Sequence, residues 1–266
     1  MNSSQRLLIA IALSAIATCA TRAAPVDLGV VAVTDMTPAG RKAPQATPDF
    51  PIYYQAVTTG FKAFGRAIAG DKEPPNDEFL QIVLRTLKRE GYVPSTEENP
   101  ASLVLGFAWG SLRGDFGGAL RYLGGEKMDL MWETQNSGHL DARVLLRGLR
   151  SEKADRIMET ANEDLYVVTI AAYDRQALVE GDLVELWQTR ISCPTRGVWA
   201  MDALPEIVQA AGPVIGRETD TPEIFVVDEA FRNRRTDVSF GALTTLDEDF
   251  DLEEIDLLDL TKEDAE

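Results

Sequence analysis

Histidine occurs once in this chain, as His139, and cysteine twice, as Cys19 and Cys193. A Ser-His-Asp triad or a multi-histidine metal site must therefore use His139 or be absent. That residue stands at the expected start of a helix, where an exposed or capping histidine is ordinary. No G-x-S-x-G supplies a nucleophile elbow. Positive charge is also scarce: 26 Lys and Arg face 43 Asp and Glu, for a net charge of −17. Binding nucleic acid needs a basic surface, so nucleic acid is excluded as a partner, and an anionic bilayer surface is disfavoured for the same reason. No uncharged run is long enough to cross a bilayer, which takes roughly 20 apolar residues. No repeat and no Pro-rich or Ser/Gly-rich linker divides the chain.

The N-terminus reads as an export address. Arg6 and the free amine precede Leu7–Ala17, an uncharged stretch, and small residues follow, with cleavage after Ala20 or Ala23. Cleavage there leaves Cys193 alone in the mature chain and forbids an intramolecular disulfide. Cys19 has one other use, as the lipidated residue of an envelope anchor. Ile16-Ala17-Thr18 resembles the motif for that, with Thr18 where Gly or Ala is expected. Cys193, in Ile-Ser-Cys-Pro, reads as a small core residue at a strand end, with no basic cluster to lower its pKa. The expected organisation is a signal peptide over residues 1–23, one α/β domain over 24–245 and an acidic tail over 246–266.

Two runs rich in β-branched and aromatic residues, Asp164–Tyr173 and Leu183–Ser192, form the expected centre of the domain as an antiparallel pair. Val26–Val33 and Ala101–Trp109 read as further strands, Glu223–Asp228 and Asp237–Leu246 as late ones. Asp35–Pro51 carries five prolines or glycines and is expected to be a loop. The clearest helix is Glu78–Glu90. Asn76 or Asp77 caps it, Lys88 and Arg89 end it, and Phe79, Ile82, Val83 and Leu87 form its buried stripe. Gly91 stands where a left-handed residue stops a helix. Gln55–Ala69 has apolar residues at helical spacing, interrupted by Gly60 and Gly65. Leu140–Leu149, Ser151–Ala161 and Leu204–Ala211 also read as helices. The sum is an α+β fold: a mainly antiparallel sheet of about five strands with helices packed on one face.

The helix ending in Gly91-Tyr92-Val93, the strand Ala101-Ser-Leu-Val-Leu105 and a hairpin arm carrying Leu186-Trp187-Gln188 resemble exported α/β domains of bacterial envelope proteins. Many of these are lipoproteins of unknown function. The resemblance covers roughly 78–212, with Ser102 where those domains often carry Asp. It implies an envelope location, periplasmic or secreted, and no reaction.

Motifs that carry chemistry are few. Gly110–Lys127 holds six glycines, yet it contains neither a Walker-type sequence nor G-x-G-x-x-G, so unusual turns explain it better than phosphate binding. Asp247, Asp249 and Asp251 are spaced like the start of a calcium loop, but Leu252 and Leu258 replace the required Gly and Glu. The tail carries eleven acidic residues and one basic, interleaved with Phe250, Leu252 and Ile255. It reads either as a solvating segment or as one that docks on a basic groove. Trp109 and Trp187 sit among apolar strand residues and are expected in the core; Trp132 and Trp199 with them would make a sugar platform only if exposed together. No catalytic, cofactor or metal residue is expected. The functional expectation is a non-catalytic envelope protein that binds or scaffolds. The alternative is an exported hydrolase using a carboxylate pair, with Asp115, Glu126 and Asp129 first to test.

Overall fold

The computed structural model describes residues 27–64, 76–112, 122–123 and 152–227. A single sheet of seven strands organises them. In chain order the strands are β1 (Leu28–Met36), β2 (Ile52–Phe64), β3 (Tyr92–Pro94), β4 (Leu103–Leu112), β5 (Leu165–Asp174), β6 (Glu185–Pro194) and β7 (Glu223–Val227). The helices are α1 (Asn76–Arg89), α2 (Glu152–Thr160), α3 (Arg175–Glu180) and α4 (Ala200–Ala211). Across the sheet the order is β3-β2-β4-β5-β6-β1-β7.

The expected central pair is present. β5 and β6 lie side by side and antiparallel, with Val168 opposite Ile191 and Ala172 opposite Trp187. Antiparallel pairing continues from β4 to β5 and from β6 through β1 to β7. At the other side of the sheet, β2 runs parallel to both β3 and β4. The sheet is thus mixed and larger than the five antiparallel strands expected. The difference arises because β2 is a strand where a helix was expected from Gln55 onward. Tyr53, Tyr54, Val57, Thr58 and Thr59 favour the pleated conformation, and the apparent helical spacing of Val57, Phe61 and Phe64 is incidental. Gly60, at φ +71°, takes up a bulge between Thr58 and Gly60 rather than breaking a helix.

Helices cover both faces, a second departure from the expected one-sided packing. On the first face α1 and α4 lie beside each other. Phe79, Val83 and Leu87 of α1 and Leu204, Ile207 and Val208 of α4 bury against Tyr54, Trp109, Tyr166, Val168 and Ile191. Each such side chain contributes roughly 1.5–3 kcal/mol by leaving water. On the second face Ile157 of α2, with Tyr122 and Leu123, covers Val31, Leu165 and Val167. Farther along that face, Leu178 of α3 covers Val104, Ala108, Ala171 and Tyr173. The uninterrupted burial of β5 from Leu165 to Tyr173 follows from this double cover.

Local signals account for most boundaries. α1 carries Asp77 and Glu78 in its first turn and Lys88 and Arg89 in its last, as its macrodipole favours. It stops at Gly91, whose φ is +93°. α3 starts at Asp174, whose side chain accepts a hydrogen bond from the Ala177 amide at 2.9 Å. α4 begins at Ala200, about one turn before the expected start at Leu204, with Asp202 in its first turn and no side-chain cap at Trp199. A one-turn 3-10 helix, Gly212–Val214, ends it. Asp35 and Met36, assigned to a loop by sequence, extend β1, and the loop that follows holds a short 3-10 turn at Gly40–Lys42. No described helix is long and apolar enough to cross a membrane. The expected signal segment, the Leu140–Leu149 helix, the Asp237–Leu246 strand and the acidic tail lie outside the described residues.

Candidate functional site

The second face of the sheet carries a buried polar cluster built by three adjacent strands. Register places Arg190 of β6 between Val33 of β1 and Thr169 of β5, and places Gln188 beside Asp35. Because strand side chains alternate, Gln188 and Arg190 share this face with Asp35. The Arg190 Nη1 lies 3.3 Å from Asp35 Oδ2, with side-chain exposures of 18% and 6%. Its Nε donates to Gln188 Oε1 at 2.6 Å. A guanidinium held on two sides in this way is fixed in orientation.

Tyr122 approaches the same cluster from above the sheet. Its hydroxyl donates to the Val168 carbonyl at 2.9 Å and lies 3.2 Å from Thr169 Oγ1 and 3.4 Å from the Ile191 carbonyl. Burial raises its pKa far above the ordinary tyrosine range, outweighing the lowering by the Thr169 hydrogen bond and by Arg190. The phenol is a permanent donor, not an acid–base group. Chemically the cluster can fix strand positions and Tyr122.

On the first face, hydroxyls lock the chain after α4 to the sheet. Thr34 Oγ1 donates to the Val214 carbonyl at 2.6 Å and lies 2.7 Å from Thr189 Oγ1. The Thr34 amide donates to Thr219 Oγ1, and the Gly216 amide to Thr189 Oγ1. Two ion pairs hold the same segment from outside, Arg217 with Glu90 and Arg41 with Glu218.

Cys193 lies on this first face, completely buried among the residues that pack α4. Burial pushes its thiol far above the usual range, and the nearby Glu206 carboxylate adds to the effect. A thiol kept protonated and out of solvent is no nucleophile, in line with the core role expected from Ile-Ser-Cys-Pro. Trp109 and Trp187 are likewise core residues, whereas Trp199 is 55% exposed beside the start of α4. Trp199 is thus separated from the buried pair, which removes a platform built from these three.

His139, Asp115, Glu126, Lys127, Asp129, Trp132 and the acids from Asp247 onward lie outside the described residues. Among the described residues, no group of three or more His, Cys, Asp or Glu converges on a metal position. What sequence reading missed is the Asp35–Arg190–Gln188 set. Its signal was present as Gln188 and Arg190, two residues apart and so on one face of the strand, but their partner Asp35 is distant in sequence.

The sheet has two outer sides among the described residues. β3 covers β2 only from Ile52 to Tyr54, so Gln55–Phe64 has no strand neighbour on that side. β7 has a neighbour only in β1.

No family model matches the chain, and no curated protein matches it at a significant level. Among solved structures it is similar to the PelC L103M dodecamer from Paraburkholderia phytofirmans, with 11% identity and a TM-score of 0.31, over 70% of this chain and 99% of that one. A DUF4136 family protein from Bacteroides thetaiotaomicron gives 12% identity and a TM-score of 0.32, over 70% and 96%. Both neighbours are bacterial. At this overlap neither assigns a family or an activity to the chain.

Proposed function

We propose that this is an exported bacterial envelope protein that binds or scaffolds a partner rather than catalysing a reaction. The N-terminal sequence over residues 1–23 supports export. One structural observation carries the rest: the described interior groups best suited to chemistry are used by the fold. Arg190 is bonded to Asp35 and Gln188, Tyr122 donates to strand carbonyls, and Cys193 is sealed and protonated.

A partner then meets backbone and surface side chains. The outer side of β2 from Gln55 to Phe64 offers the longest such surface among the described residues, and an extended partner segment can pair with it by strand addition. The bulge at Thr58–Gly60 and Lys62 restrict which strands can pair there. A photo-cross-linking amino acid placed at Thr58 in the full-length chain, expressed in the producing cell, tests this. A discrete adduct that is absent from a control position on the buried α4 face supports the proposal. No adduct, together with purified protein that hydrolyses glycosides and loses that activity on Glu126→Gln or Asp129→Asn, overturns it.

A further inference from the structure

The start of α4 departs from two local rules at once. Its N-cap position holds Trp199, which supplies no side-chain cap where Ser, Thr, Asp or Asn is favoured. The Trp199 side chain is also 55% exposed and that of Met201 47%, while Trp109 and Trp187 are buried. Neighbouring large apolar side chains left in water mark a contact surface, whereas isolated ones are ordinary.

The backbone that presents them is fixed. The Thr195 amide donates to the Asp164 carbonyl at 2.9 Å and the Val198 amide to the Thr195 carbonyl at 3.3 Å, around Gly197 at φ +77°. Val198 packs against the first-face core, and its carbonyl accepts from the Tyr166 hydroxyl at 3.5 Å. The Trp199 carbonyl then accepts from the Asp202 and Ala203 amides at 3.0 and 2.9 Å. A large, stiff side chain on a preorganised backbone loses little freedom when a partner binds.

Charge selects the partner. Asp202 is exposed and follows Trp199 by three residues, which makes the two neighbours around the turn. Asp164, whose carbonyl holds Thr195, is exposed as well. β1 runs antiparallel to β6 with Val31 opposite Ser192, so the exposed Asp27 stands at the same end of the sheet. Arg196 is paired with Glu163 at 3.2 Å. An aromatic face in acidic surroundings suits an organic cation, and the net charge of −17 draws basic partners toward it. A second copy is a poor occupant, because two chains of that charge repel each other.

We propose that Trp199, Met201 and Asp202 form a docking surface for a basic, partly apolar segment of another protein. Trp199 takes a Lys or Arg side chain on its ring face, Asp202 pairs with the charge, and Met201 packs on an adjacent apolar side chain. This surface is separate from β2, so the Thr58 cross-link can succeed or fail independently of it.

Fluorescence anisotropy with the full-length chain tests this, the probe being a labelled, blocked hexapeptide of alternating lysine and leucine. The parent chain is expected to bind it, and to bind the glutamate–leucine counterpart far more weakly. Trp199→Leu keeps an apolar side chain but removes the ring, and should weaken binding about fivefold; Asp202→Asn should weaken it about threefold. Trp199→Phe keeps a ring and should stay within about twofold of the parent. Phe50→Leu, at an exposed position before β2 and at the opposite end of the sheet, should bind as the parent does. No binding by the parent chain overturns the proposal, as does equal binding of the two peptides. An unchanged affinity in Trp199→Leu assigns the peptide to the chain's overall acidity and also overturns it. So does a loss in Trp199→Phe or Phe50→Leu as large as that in Trp199→Leu.

Discussion

Arg190 and Asp35 meet diagonally across the β6–β1 pairing, 3.3 Å apart, with the carboxylate almost wholly buried. Removing one member of such a pair leaves the other charge without its counterion in a poorly solvated place. Asp35→Ala is expected to destabilise the fold by about 3 kcal/mol. The double variant Asp35→Leu/Arg190→Met should recover part of that loss, since the stranded charge is gone. Urea unfolding of the three proteins measures both effects; a single-variant cost near zero would show that the pair is solvated.

Two of the buried tyrosines, Tyr54 and Tyr122, should respond in opposite ways to loss of a hydroxyl. Tyr122 has three oxygen neighbours, whereas the Tyr54 hydroxyl is buried without a hydrogen-bond partner among the described residues. Tyr122→Phe is expected to cost about 1–2 kcal/mol, and Tyr54→Phe to be neutral or stabilising. Equal costs in thermal or chemical unfolding would contradict the assignment.

Phe79 of α1 and Trp109 of β4 pack in a tilted pair at 4.8 Å between ring centroids, and the Trp109 indole N–H has no acceptor among the described residues. Phe79→Ala should open a cavity under α1 and cost about 3–5 kcal/mol. Trp109→Phe loses volume but also relieves a buried donor, so its cost should be clearly smaller. The ordering of the two, rather than either value, is the test.

These contrasts show what could be read from residues alone. The β5–β6 centre, β4 and α1 were legible because composition and caps agree there over long stretches. α3 was not: its six residues are set by one cap, Asp174, rather than by periodicity. β2 was misread because its apolar residues repeat at a helical interval while its β-branched content decides the outcome. Parallel pairing of β2 with β3 and β4 was invisible, since β3 has three residues and strand partners are distant in sequence. The second-face layer was announced by Leu165–Tyr173, a run too apolar on both alternations to have one wet side. Asp35–Arg190 required the register of β1 against β6, which no local pattern encodes.

Cys193 provides a pH-linked test. Its thiol is held protonated in the fold, whereas in the unfolded chain it ionises near the ordinary value of about 8.5. Below that pH both states keep the proton and stability is unaffected. Above it the unfolded state loses the proton first, so stability should fall with rising pH, by about 1.4 kcal/mol per unit for this one group. Cys193→Ala should flatten the slope between about pH 8.5 and the onset of tyrosine ionisation near 10. An unchanged slope would remove Cys193 as its cause. In a Cys19→Ser chain, alkylation of Cys193 should be no faster than unfolding.

Fractionation of the producing cell with the intact mass of the purified protein bears most directly on the proposal of an exported, non-catalytic binding protein. The expected result is a chain in the envelope fraction that begins after Ala20 or Ala23, or at a lipidated Cys19. A full-length chain retaining Met1 in the cytosol would contradict it.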